Sequence, residues 1–227
     1  MQSPESALMR EVLARLVEFY GSPDWRNPLP PVDELVCTIL SQNTNDRNRD
    51  IAFNALKARF ASWEEVMRAP DAEIVDAIRI AGLANQKGPR IKEVLTRIMQ
   101  ERGNLDLSFL SAMPLEEARE WLLQFKGVGR KTAAIVLQFS LGRPAFPVDT
   151  HVYRVTGRLG ARPAEMNVEQ THLLMERLID PSAYYAGHLN LIRLGREICH
   201  ARKPDCAVCP LKDLCQYSLQ NTPEKNE

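Results

Sequence analysis

Apolar residues recur along this chain every three or four positions, the period of a helix with one buried face. Leu8, Val12, Leu16 and Tyr20 form a first stripe, and Gly21 is placed to cap its C-terminus. Leu35 and Leu40 mark a second helix, and Ile51, Leu56 and Phe60 a third. Ser62 followed by Glu65 predicts a capping box opening a short helix, and Pro70-Asp71 starts another. Ile91, Val94, Leu95 and Ile98 continue the period, and Leu115–Leu123 and Thr132–Phe139 read as two more helices. Asn167 and Gln170 cap a late helix carrying Leu173, Leu174 and Leu178. Sustained strand alternation is absent, so the pattern predicts an all-α fold.

The 227 residues, 44% of them hydrophobic, suit one or two globular domains. Met1-Gln2-Ser3-Pro4-Glu5 lacks a basic-then-apolar signal and no apolar run would span a bilayer, so a cytoplasmic protein is expected. A formal net charge of zero argues against a nucleic-acid partner, but the distribution reverses that. Between Trp121 and Ala164 stand Lys126, Arg130, Lys131, Arg143, Arg154, Arg158 and Arg162 against the single acid Asp149. Such a run reads as an electrostatic footprint for a phosphate backbone.

The same segment holds Phe125-Lys126-Gly127-Val128-Gly129-Arg130-Lys131-Thr132-Ala133, between two helical stretches. Two glycines one residue apart permit a tight turn with positive φ and close approach of another backbone. The amides of Gly127, Val128 and Gly129 would then face a phosphate at the start of the second helix. On spacing alone an ordinary helix–helix turn with a surface lysine fits equally well. A nucleotide P-loop fits worse, since Arg130 interrupts the Gly-Lys pair and no strand precedes it.

Cys199, Cys206, Cys209 and Cys215 crowd into seventeen positions, which in a cytosolic chain points to a metal site. Thiolate chemistry alone leaves zinc and an iron–sulfur cluster both open. Cys37, amid apolar neighbours, reads as a small buried residue.

Gly127-Val128-Gly129-Arg130-Lys131-Thr132-Ala133, followed by Pro147-Val148-Asp149-Thr150-His151, resembles the helix-hairpin-helix and Gly/Pro…Asp signature of the endonuclease III family of DNA glycosylases. Leu40-Ser41-Gln42, Gly82-Leu83 with Lys87, and the four cysteines extend the resemblance over roughly residues 30–217. It implies two helical domains with a DNA-binding cleft between them. One is a six-helix barrel with the hairpin at 32–143; the other joins 1–31 to 144–227 and carries a [4Fe–4S] cluster in the 199–215 loop. Lys131 and Asp149 would face each other across the cleft. Gln42 or Asn43 would fill the gap left by a flipped nucleotide, and Leu83 would wedge between bases. Arg202 and Lys203 would contact phosphates together with Gly127, Val128, Gly129 and Arg130.

The family's usual Ser-Ala-Gln is here Ser41-Gln42-Asn43, which leaves the gap-filling residue open between the two. A lysine at 131 resembles the glycosylase/lyase branch acting on oxidised pyrimidines, with duplex DNA as partner and the protein acting as a monomer. The expected chemistry is attack of the Lys131 amine on the sugar, a Schiff base, and β-elimination, with Asp149 as proton acceptor or charge stabiliser. Burial and the following helix would lower the Lys131 pKa for that attack. The alternatives are a monofunctional glycosylase for mismatched thymine or alkylated purine, and a non-catalytic DNA-binding module.

Overall fold

The computed structural model describes residues 3–24 and 28–221, and every regular element among them is helical. Helix α1 (Pro4–Tyr20) belongs to one compact unit, to which the chain returns after Arg143. The other unit, residues 28–143, holds α2 (Pro31–Ser41), α3 (Asp46–Arg59), α4 (Trp63–Arg68), α5 (Asp71–Ala77), α6 (Ala84–Arg102), α7 (Leu115–Leu123) and α8 (Arg130–Ile135). The first unit is completed by α9 (Thr150–Leu159), α10 (Val168–Leu178), α11 (Tyr184–Glu197) and α12 (Gln216–Asn221). Its division from the second unit falls at Pro28, where the sequence pointed to residue 32. The Ser140 hydroxyl donates to the Leu29 carbonyl at 2.6 Å and holds that segment in the 28–143 unit. Residues 1–2, 25–27 and 222–227 of the expected discontinuous domain lie outside the described residues.

In the first unit Met9, Val12 and Leu16 of α1 share a core with Leu191 and Leu194 of α11 and with Phe146 and Val152. Gly21 caps α1 with a φ of 82° and an N–H bond to Val17. In the 28–143 unit the centre is α6, whose Ile91, Val94, Leu95 and Ile98 are all buried. At Gly88 of that helix a Cβ would come within 2.9 Å of the Val75 side chain, so the α5–α6 approach depends on glycine.

Three local expectations change. Ile51 and Leu173 are exposed, because the buried face of α3 runs through Ala52 and Leu56 and that of α10 through Thr171, His172 and Met175. Ser62 does cap α4, but the Glu65 carboxylate accepts from the Ala61 amide, one residue short of a reciprocal box. Asn167 and Gln170 form the full box on α10. Asn167→Ala should therefore lower stability by about 1 kcal/mol, read as an earlier urea midpoint at unchanged slope.

Candidate active site and cysteine centre

The hairpin turn joins α7 to α8, which runs on into a π-helical turn over Val136–Ser140. Gly127 has a φ of 81°, and a Cβ there would collide with the Arg90 side chain of α6. Gly129 differs from expectation: its φ of −95° is open to any residue, and a Cβ would meet nothing within 4 Å. Glycine at 127 is required by the fold, whereas nothing in the chain requires it at 129. Val128 also departs from the expected DNA contact. Its side chain is buried and its amide donates to the Phe125 carbonyl at 3.0 Å, so neither is left to meet a phosphate. Arg130 is half-buried at the first position of α8.

Gln42 and Asn43, equivalent in sequence, have different environments. The Gln42 amide donates to the Gly127 carbonyl at 3.0 Å and its oxygen accepts from Arg90 at 3.3 Å, which ties it to the hairpin. Asn43 is exposed in the left-handed region at φ 53°. Leu83 is left-handed too, at φ 51°, and 47% exposed, so it is not a core leucine. A left-handed leucine costs about 1 kcal/mol or more. Lys203 at φ 49° completes the non-glycine residues with positive φ among those described.

Lys131 lies half-buried at the second position of α8, in the 28–143 unit. In the other unit, Asp149 is the N-cap of α9, with one carboxylate oxygen accepting from the Val152 amide at 2.8 Å. The approach to Asp149 is clamped by groups that sequence reading did not single out. Glu176 accepts from the Phe146 amide at 2.9 Å, and His188 Nδ1 donates to the Pro147 carbonyl at 3.0 Å. His172 Nδ1 lies 3.3 Å from the Val148 amide. No spacing rule links these residues to 146–148; only the packing of α10 and α11 does.

Cys199, Cys206, Cys209 and Cys215 are unpaired by disulfides and line one cavity with Arg158, Pro204 and Tyr217. Burial, reinforced by the neighbouring thiols, pushes Cys209 up to about 11 and raises Cys215 as well. A bound cationic centre would hold such thiols as thiolates. Arg158 donates to the Cys199 sulfur at 3.2 Å and to the His200 and Ala201 carbonyls, fixing the start of the loop. Arg202 and Lys203 in that loop are exposed.

The basic run needs correction. Arg143 spends its guanidinium on the carbonyls of Leu110, Ser111 and Met113, and Arg154 on those of Gly195 and Cys199. Arg162 holds the carbonyls of Tyr153, Pro163 and Met166. With Arg158, four of the seven cations brace their own backbone and do not form a free footprint.

Residues 36–181, spanning the hairpin and Asp149, match the HhH-GPD superfamily of base excision DNA repair proteins. The chain belongs to that superfamily. Residues 199–215 of this HhH-GPD protein match the iron-sulfur binding domain of endonuclease III, and all four cysteines fall within them. It is 30% identical over 210 residues to endonuclease III of Thermotoga maritima, covering 92% of this chain and 91% of that protein. It is 43% identical over 148 residues, 65% of this chain, to the Arabidopsis thaliana protein named "Putative DNA glycosylase At3g47830", of which the match covers half. A solved endonuclease III–DNA covalent intermediate, trapped with an estranged adenine, is similar at a TM-score of 0.82 and 26% identity over 97% of this chain and 99% of that one. The enzyme class is DNA glycosylase/lyase, and the chain carries an iron–sulfur binding domain. No helix among the described residues is long and apolar enough to cross a membrane.

The two hairpin glycines should separate in a melting experiment. Gly127→Ala should cost roughly 1–3 kcal/mol, from positive φ and the displaced Arg90. Gly129→Ala should cost under about 1 kcal/mol, the value of a weak helix cap.

Proposed function

We propose that this protein is a base-excision glycosylase with abasic-site lyase activity, which removes oxidised pyrimidines from duplex DNA through a Schiff base on Lys131. The observation that carries this reading is a primary amine at the second position of the hairpin helix. A relative similar over nearly its whole length was caught as a covalent intermediate with DNA. An amine at that position is what imine chemistry needs.

The target base must leave the helical stack before an amine can reach its sugar. Leu83 supports this step, since an exposed residue held in a costly backbone conformation belongs where an outside partner is met, and Asn43 is exposed on the neighbouring loop. Leu83 enters the stack as a wedge, and Asn43 fills the space vacated by the extruded nucleotide while Gln42 stays on the hairpin. The open space over Gly129 admits a phosphate to the first turn of α8. Arg202 and Lys203 meet further phosphates.

Lys131 Nζ then attacks C1′; the C1′–N bond breaks, and the base leaves with the electron pair. Asp149 stabilises the positive charge developing on the sugar and takes the amine proton. Ring opening gives the imine, loss of a C2′ proton expels the 3′ phosphate, and water releases the enzyme. Asp149 keeps one oxygen on the α9 cap, so its position is fixed while the reaction proceeds.

Cys199, Cys206, Cys209 and Cys215 hold a [4Fe–4S] cluster. Among the described residues no three potential ligands converge on a single metal ion, although the four sulfurs share one cavity. Four thiolates lining one cavity are the donor set that such a cluster takes. When bound, the cluster supplies a rigid anchor for the loop carrying Arg202 and Lys203.

Lys131→Gln should abolish borohydride trapping and strand cleavage on a thymine-glycol duplex while preserving binding; continued trapping would reject Lys131 as the nucleophile. Asp149→Asn keeps a good helix cap, so melting should barely move while base release slows about 10²–10³-fold. Gly129→Ala, already expected to fold, should weaken DNA binding and show no loss if phosphate does not approach there. Purified protein should contain iron and acid-labile sulfide in equal amounts, about four of each per chain; stoichiometric zinc in active protein would contradict the cluster.

A further inference from the structure

Lys87 is 2% exposed and lies four residues into α6. Its ammonium donates to two backbone carbonyls, Leu40 at 2.8 Å and Ala81 at 2.8 Å. Leu40 ends the buried run of α2 directly before Ser41-Gln42-Asn43, and Ala81 directly precedes Gly82-Leu83. Both carbonyls sit at helix ends, where no following amide of the same helix reaches them. No carboxylate among the described residues forms an ion pair with Lys87, and burial lowers its pKa. A charged group buried without a counter-ion is expensive for a fold to keep.

One turn further along α6, Arg90 holds Gln42 and lies under Gly127. The same face of one helix therefore governs the 41–44 loop, the 82–83 turn and the hairpin.

We propose that Lys87 is a positioning residue for base extrusion, clamping the Asn43 loop and the Leu83 turn in the paired arrangement that enters DNA. The clamp rests on the glycosylase reading above for its purpose, but its physical content belongs to the free protein. Lys87 touches neither base nor sugar in this account. It acts by removing the freedom of two loops before DNA arrives, so that extrusion does not have to order them.

The test uses the full-length protein with Lys87→Met, which keeps the length and removes the donor. In the free protein, the amides of Gln42, Thr44 and Gly82 should exchange with solvent at least tenfold faster, while those in the middle of α2 and α6 stay protected. Base release is then followed in single turnovers on two duplexes, thymine glycol opposite adenine and thymine glycol opposite an abasic gap. A clamp predicts at least a tenfold loss on the paired lesion and a much smaller one on the unpaired lesion, which is cheaper to extrude.

Lys87→Met and Leu83→Ala should also be non-additive on the paired lesion, because one acts through the other. Equal losses on both duplexes, or unchanged exchange at the three amides, would overturn the proposal. If the Met variant does not fold, Lys87→Arg, whose larger head pushes the two carbonyls apart, should give the same pattern at the same amides and duplexes. If wild-type protein released no base from either duplex, the glycosylase reading would fail, and the exchange data would still decide whether Lys87 clamps the loops.

Discussion

Much of this molecule depends on one interaction: a cationic side chain, at Lys87 a buried one, donating to main-chain carbonyls that no helix satisfies. Lys87 serves the ends of α2 and of the turn at 79–81. Arg97 holds the Gln124 carbonyl at the end of α7 and lies over the Phe125 ring. Arg143 gathers three carbonyls of the 110–113 turn, and Arg158 binds the cysteine loop. An unsatisfied buried carbonyl costs roughly 1–3 kcal/mol, so Lys87 above all, and Arg143 in part, determine where the segments they hold can lie. In a helical protein the irregular segments are also the ones available to meet a ligand.

This use of charge takes most of the basic run at 126–162 away from the surface. Positive charge was legible in the sequence, but its destination was not. Side chains that look alike in a charge run are separated by packing into those turned inward onto carbonyls and those left at the surface, such as Lys126. The same holds for the glycines. Gly127 and Gly129 read as a pair, yet Arg90 and a positive φ act on one, and open space surrounds the other. Local spacing cannot separate them, because the difference comes from α6, some forty residues earlier in the chain.

The helical class, the main helices and the caps at Gly21 and Asn167 were readable because they depend on periodicity and on neighbouring residues. So was the cysteine cluster's position. The clamp on 146–148 by Glu176, His172 and His188 was not, since those contacts join segments that only tertiary packing brings together. Leu173 was misread for a related reason. A buried stripe can include Thr171 and His172 when their polar atoms find partners, and that shifts the helix face by one residue. Strain was invisible in sequence: nothing about Leu83 or Lys203 announces a left-handed backbone.

The central claim is that one particular amine carries the sugar. Reducing the reaction with borohydride on a thymine-glycol duplex, digesting the product with nuclease and protease, and locating the added mass by tandem mass spectrometry tests it directly. The account predicts the deoxyribose remnant on the peptide containing Lys131, and on no other lysine. A remnant on Lys126, Lys203 or the α-amino group would contradict it.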